Sequence, residues 1–281
     1  MSMFLPQLGG ELRKLFARKR TYIGFAAFLA VELVVLILLR LPKVQRSLER
    51  LLDGAGYAAD DYLSGLTLGL MITLSTVFLL GALYLALVAG DVVSKEVEDG
   101  TMRMMLCRPI SRLRILALKL CACVIYTVVL TVFIAGTAMT AGWLHAGGGG
   151  LFVFAPSEGI FAVYEAGDGL HRFLLAIPFL ALSLCTITCI GFFFSCLNMK
   201  PAAATIVTLS VLFVDTILKN IPFFSGIRGW FLTAKMSAWA NLFAYRIPWE
   251  IMAEDYAWLA AINGTLLVLA VLVFTSRDFK S

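Results

Sequence analysis

The chain has 281 residues, of which 60% are hydrophobic and 15% charged, with a formal charge of +5 and a mean hydropathy of +0.91. Soluble domains run nearer half apolar and a quarter charged, so an ordinary soluble domain is excluded. The Lys and Arg residues sit beside the apolar runs, where they report orientation in a membrane rather than binding to nucleic acid.

Several apolar runs reach the roughly 18 residues that a helix needs to cross hydrocarbon, and the alternation of an outer-membrane barrel is absent. The fold class expected is therefore an all-α membrane protein, a single domain over 1–281 with six crossings. Before the first crossing, 4–20 places Phe4, Leu5, Leu8, Leu12, Leu15 and Phe16 on one stripe. Glu11, Arg13, Lys14, Arg18, Lys19 and Arg20 fill the remainder. That pattern predicts an amphipathic helix lying among membrane lipid headgroups, either as an anchor or as part of a coupling device. The first span, 22–39, starts too late and runs too long for a cleavable signal peptide. It holds Glu32, an ionisable group that must face the bundle or water; an interhelical hydrogen bond is preferred to a role in a pathway.

Pro42 and Gly54 suit the start and stop of a short surface helix. The second span, 66–89, is rich in small residues that permit close helix approach. The charged stretch 90–119 follows, and the third span is 115–143. A loop with four consecutive glycines (147–150) reads as flexible. The fourth span is 173–197 and the fifth 202–218, where Asp215 and Lys219 stand four apart and are expected to pair along one face rather than form an ion site. The stretch 220–255 is apolar but broken by Pro222, Gly226, Gly229 and Pro248, and rich in Trp, Phe and Tyr. It reads as an outer, partly inserted hairpin of re-entrant type before the sixth span, 257–274. The cysteines Cys121, Cys123, Cys185, Cys189 and Cys196 lie within spans and read as small apolar filler.

With six spans both termini share a face. That face holds fourteen of the 23 Lys and Arg residues, against nine opposite, which predicts cytoplasmic termini in the inner (plasma) membrane. The stretch 90–119 then lies in the cytoplasm. Its acids Asp91, Glu96, Glu98 and Asp99 precede its bases, and Gly100 and Pro109 punctuate it, so 91–112 suits docking of another protein better than contact with lipid.

No P-loop, H-E-x-x-H or G-x-S-x-G pattern is present. His145 and His171, both in the predicted outer loop, have no positioned nucleophile beside them. Met102, Met104, Met105 and Cys107 are soft ligand types, but their spacing is also that of an apolar helix face, which is the reading adopted; no metal or cofactor is assigned to the chain.

The run E-V-E-D-G-T-M-R-M-M-L-C-R-P-I-S-R-L-R-I-L-A-L-K resembles the signature after the second span of ABC-2 type permeases. Glu96, Glu98, Gly100, Thr101, Leu106, Pro109, Ile110, Ser111, Arg112 and Lys119 carry the match. The amphipathic start, the six spans, the aromatic hairpin and Arg277-Asp278 extend the likeness in architecture. Leu118, where Gly often precedes the Lys, and the Met-rich run depart from it. The resemblance implies a half-transporter: two permease copies, homodimeric or related, each docking a separate ATP-binding subunit that carries ATP and Mg. Coupling is assigned to Asp91, Glu96, Glu98, Gly100, Thr101, Pro109, Ser111 and Arg112, while Glu32 and Asp215, from their positions within the spans, are the intramembrane polar candidates. Export of an amphipathic or hydrophobic molecule is expected. The competing readings are a scaffold or immunity subunit that recruits an ATPase without moving cargo, and a membrane-embedded enzyme. A secondary transporter would show internal repeats, which the two halves lack.

Overall fold

A computed structural model describes residues 4–54, 59–107, 110–155 and 159–277. The amphipathic start forms α1 (Phe4–Ala17), and a break at Arg18 leads into α2 (Lys19–Leu39). Pro42 opens α3 (Pro42–Gly54), and a single turn, α4 (Ala59–Tyr62), follows. Ser64 caps α5 (Gly65–Thr76) by accepting from Leu66 N. A π-turn (Val77–Gly81) joins α5 to α6 (Ala82–Glu98) in one continuous rod. Next come α7 (Thr101–Leu106), α8 (Arg112–Ala146), strands β1 (Leu151–Ala155) and β2 (Ile160–Tyr164), α9 (Ala166–Cys196) and α10 (Pro201–Asn220). Two 3-10 helices, Pro222–Trp230 and Ala238–Phe243, flank α11 (Leu232–Met236), and α12 (Trp249–Ser276) closes the chain.

Six helical rods are long and apolar enough to cross a membrane: α2, α5–α6, α8, α9, α10 and α12. The protein is an all-α membrane protein. Several helices overrun the expected span boundaries. The second continues to Glu98, the third starts at Arg112, the fourth at Ala166 and the sixth at Trp249. A hydrophobic window measures the hydrocarbon core, whereas a helix can run on wherever its polar side chains find caps or partners.

The central rods α8 and α9 are the most buried, while α2, α10 and α12 turn apolar side chains such as Leu33, Phe213 and Leu272 outward. Close backbone approach holds α5 on α8. A Cβ added at Gly142 would meet the Gly65 carbonyl and come within 2.8 Å of Gly69 N, so small residues are needed at this crossing.

The glycine-rich loop differs from its expected flexibility. β1 and β2 pair antiparallel, Leu151 opposite Tyr164 and Ala155 opposite Ile160. Gly150 N donates to Asp61 O at 3.0 Å, and Ser64 Oγ donates to Gly150 O. The cause is apolar: Leu151, Phe152, Val153, Ile160 and Tyr164 are buried in one cluster with Phe173 and Phe243 or against it. The loop residues Pro156 and Glu158 lie outside the described residues. Between α10 and α12 the aromatic-rich stretch is built of short helical turns. Its first 3-10 helix buries none of its residues, with Phe223 and Trp230 well exposed.

Side-chain contacts define two ends of the bundle. One gathers α1, the α6–α8 junction, the α9–α10 turn and the end of α12. The other gathers the β-hairpin, the start of α9 and the 222–248 region.

Candidate functional site

The charged stretch 90–119 lies at the α1 end. Its first half continues α6 without a break to Glu98. Gly100 then takes a φ of +72°, a left-handed conformation that favours glycine, and its N–H donates to Val97 O at 3.1 Å. Thr101 Oγ1 reaches back to Glu96 O at 3.2 Å, tying α7 to the end of α6. Ser111 caps α8 by accepting from Arg114 N. Pro109 and Arg108 lie outside the described residues, as does Asp278.

The acids of this stretch divide into two groups. Asp91 and Glu96 are buried, whereas Glu98 and Asp99 are exposed. Asp91 pairs with the Arg20 guanidinium at the start of α2. Glu96 belongs to a four-charge cluster joining three helices. Lys119 of α8, 1% exposed, places Nζ 2.7 Å from Glu96 Oε2 and 3.2 Å from Glu11 Oε2. Lys14 sits 2.6 Å from Glu11 Oε1 and 3.8 Å from Glu96 Oε1. Two carboxylates and two ammonium groups thus balance at the joint of α1, α6 and α8. Burial alone would push the Glu11 carboxyl up, but Lys119 and Lys14 outweigh it and hold the group below the usual range. Asp91 and Glu96 thus find their partners inside the chain, because a carboxylate withdrawn from water needs a counter-charge.

Arg112 also works within the chain. It donates to the carbonyls of Thr275 and Arg277, both at 2.9 Å, at the end of α12. Arg277 in turn donates to Cys196 O and Leu197 O at 3.3 and 3.1 Å, and to Asn198 Oδ1 at 2.6 Å. These cations satisfy carbonyls that helix ends leave without intrahelical partners. The α6 end is pinned from a third side by Ser195 of α9, whose Oγ accepts from Val93 N and Ser94 N at 2.9 and 3.0 Å.

The two intramembrane candidates lie apart from this cluster. Glu32 accepts from Thr137 Oγ1 at 2.9 Å, linking α2 to α8. Asp215 accepts from Leu232 N, Thr233 N and Thr233 Oγ1 at 3.1, 2.7 and 2.6 Å. Among the described residues it makes no ion pair with Lys219, contrary to expectation, because its carboxylate is used by the unsatisfied N–H groups that open α11. The sulfur groups do not converge: Met102 is buried while Met104 and Cys107 are exposed. Among the described residues no three His, Cys, Asp or Glu form a metal-binding group. His145 is hydrogen-bonded to Arg40 with its ring at 2.7–3.0 Å from the guanidinium, and His171 is exposed.

Sequence reasoning treated Glu11, Lys14 and Arg20 as the polar side of a surface helix and passed over Ser195. One signal was present. Glu11 falls on the Leu8–Leu15 stripe at helical spacing, and an acid on an apolar stripe calls for a buried cation.

A family model described as "ABC-2 family transporter protein" matches residues 11–275. That span takes in the charge cluster, the first five rods and most of α12. No curated protein matches the chain, and no solved structure does.

Proposed function

We propose a division of labour for this chain, which belongs to the ABC-2 family of transporter proteins and is a multi-pass membrane permease without an ATPase domain of its own. In this reading a separate ATP-binding subunit docks on the α1 end, which the Lys and Arg excess assigns to the cytoplasm. Two permease copies pair, ATP and Mg are held by the partner, and an amphipathic or hydrophobic molecule is exported. Interhelical polar contacts within an apolar bundle suit such cargo. Thr127 meets Thr188 at 2.7 Å, Asn263 donates to Thr186 at 3.2 Å, and Ser183 meets Tyr256 at 3.2 Å.

The observation that carries this reading is the joint of α1, α6 and α8. Glu98 and Asp99 project into solvent at the tip of α6, just before the Gly100 turn, while one turn back Glu96 is locked to Lys119. A push on the tip is therefore delivered to α8, the third span, through a short ion pair, and to α1 through Glu11. Arg112 passes the displacement on to α12. Gly100 supplies the turn that lets α7 meet the partner at an angle to α6.

The test is co-purification of the tagged protein with its ATP-binding subunit, followed by ATPase and cargo-flux assays in liposomes. The double variant Glu98→Lys/Asp99→Lys should lose the partner and the flux together. Glu49→Lys, on α3, should lose neither. Unchanged ATP-driven flux in the double variant would end the coupling proposal. A retained partner with no flux in the wild-type complex would favour the scaffold reading.

A further inference from the structure

Beside the charge cluster, α1, α6 and α8 leave a small solvent-open cleft, lined by Glu11, Lys14, Leu15, Arg18, Glu96 and Lys119 among others. Its charges do not balance. Glu11 and Glu96 are neutralised by Lys119 and Lys14, and Asp91 nearby is neutralised by Arg20. Arg18 is left over. It is half-buried, and among the described residues its guanidinium has no hydrogen-bond partner. A guanidinium carries five N–H donors in a planar fork, and Arg18 contributes to the lining of the cleft. The surroundings add to the surplus. Lys19 is exposed, and α2 begins here with no acid in its first turn and no side-chain cap. The partial positive charge of its N-terminus therefore reinforces Arg18.

We propose that the mouth of this cleft binds the phosphate of an anionic phospholipid, with Arg18 as the fork that grips it. Guanidinium and phosphate match in shape and charge through paired N–H···O bonds. The source of the phosphate follows from position. Tyr22 and Ile23, 67% and 68% exposed, open the apolar α2 within two turns of Arg18, so the cleft stands where hydrocarbon gives way to headgroups. The lipid would fill the gap between the interfacial helix and the rods it is tied to, steadying the joint without taking part in its internal ion pairs. This proposal does not depend on the coupling scheme above.

Arg18 makes a clean test because, among the described residues, its side chain makes no hydrogen bond to the rest of the chain. Binding is read by native mass spectrometry of the detergent-purified protein titrated with phosphatidylglycerol, phosphatidylcholine or inorganic phosphate. Phosphatidylglycerol should bind in preference to phosphatidylcholine. Arg18→Gln should weaken it about tenfold, the loss expected of a paired charge-assisted hydrogen bond. Arg18→Lys should fall between, and Arg46→Gln on α3 should match the wild type. Equal phosphatidylglycerol binding by wild type and Arg18→Gln would overturn the site. Equal retention of the two lipids would overturn its anionic selectivity. Displacement of the lipid by millimolar inorganic phosphate would overturn the lipid as its occupant in favour of a soluble phosphate.

Discussion

Lys119 and Arg172 are both cations drawn into the protein, one at each end of the bundle, and their partners differ in kind. Lys119 is held by carboxylates from α1 and α6. Arg172, on the first turns of α9, donates to the backbone carbonyls of Leu242 and Ala244, the latter at 2.8 Å, and lies 4.2 Å above the Tyr164 ring. Tyr164 itself donates to Phe243 O at 2.8 Å. Arg172 and Tyr164 thus fasten the hairpin end to main-chain groups that no substitution removes and no pH change titrates. The α1 end is fastened by side chains that are themselves charged, so its strength depends on every member of the cluster. A joint meant to move under load fits the second construction, and a fixed cover fits the first.

The largest expected effect comes from breaking the cluster at its centre. Lys119→Met leaves Glu11 and Glu96 buried against each other, with only the half-exposed Lys14 to offset them. Removing one partner of a buried ion pair costs about 3–5 kcal/mol, and the thermal midpoint in nanodiscs should fall accordingly, with flux lost. The triple variant Lys119→Met/Glu11→Gln/Glu96→Gln should recover most of the stability, because no uncompensated charge remains, while flux stays low. If flux returned with stability, the cluster would be a structural fastening alone.

Arg172→Lys tests the other end. An ammonium cannot reproduce the forked contact with two carbonyls, and losing hydrogen bonds to a charged donor costs about 1.5–3 kcal/mol. Stability should drop, yet partner association at the α1 end should hold. Lost association in this variant would mean that the two ends are not independent. Ser195→Ala is expected to cost somewhat less, about 1–3 kcal/mol, since it deprives two buried N–H groups of a shared acceptor. Unlike Arg172→Lys, it should also weaken partner association, because it loosens the α6 end.

Those contrasts mark what the sequence could and could not disclose. The six rods were legible because apolar length is a local property, and a window of residues reports it directly. The turn at Gly100 was legible for the same reason, being specified by a single residue. The cluster was not, because Glu11, Glu96 and Lys119 come from three distant segments, and pairing between them is decided by which faces meet. Asp215 illustrates the same limit. Its local partner at i+4 was in view, but the N–H groups that use its carboxylate lie 17 and 18 residues on. The β-hairpin was hidden behind glycines that suggest freedom, although the flanking L-F-V-F-A and I-F-A-V-Y segments supply the apolar surface that pins it.

The smallest effect separates the two ends by pH. Glu11 is held below the ordinary Glu value of about 4.3 by Lys119 and Lys14. A carboxyl whose folded-state value is depressed binds its proton more readily when unfolded. Its contribution is therefore complete above the ordinary value and is lost as pH falls through the depressed one. The thermal midpoint of the wild type should decline between about pH 5 and pH 3 more steeply than that of Glu11→Gln, in which this linkage is absent. Carboxylates away from the cluster see no change between the two proteins and cancel in the difference. Arg172→Lys should instead run parallel to the wild type, displaced downward, since the carbonyls that hold Arg172 carry no proton to gain. Parallel curves for the wild type and Glu11→Gln would show that the cluster does not draw on the Glu11 charge. Lys119 would then be held in the folded protein chiefly by Glu96.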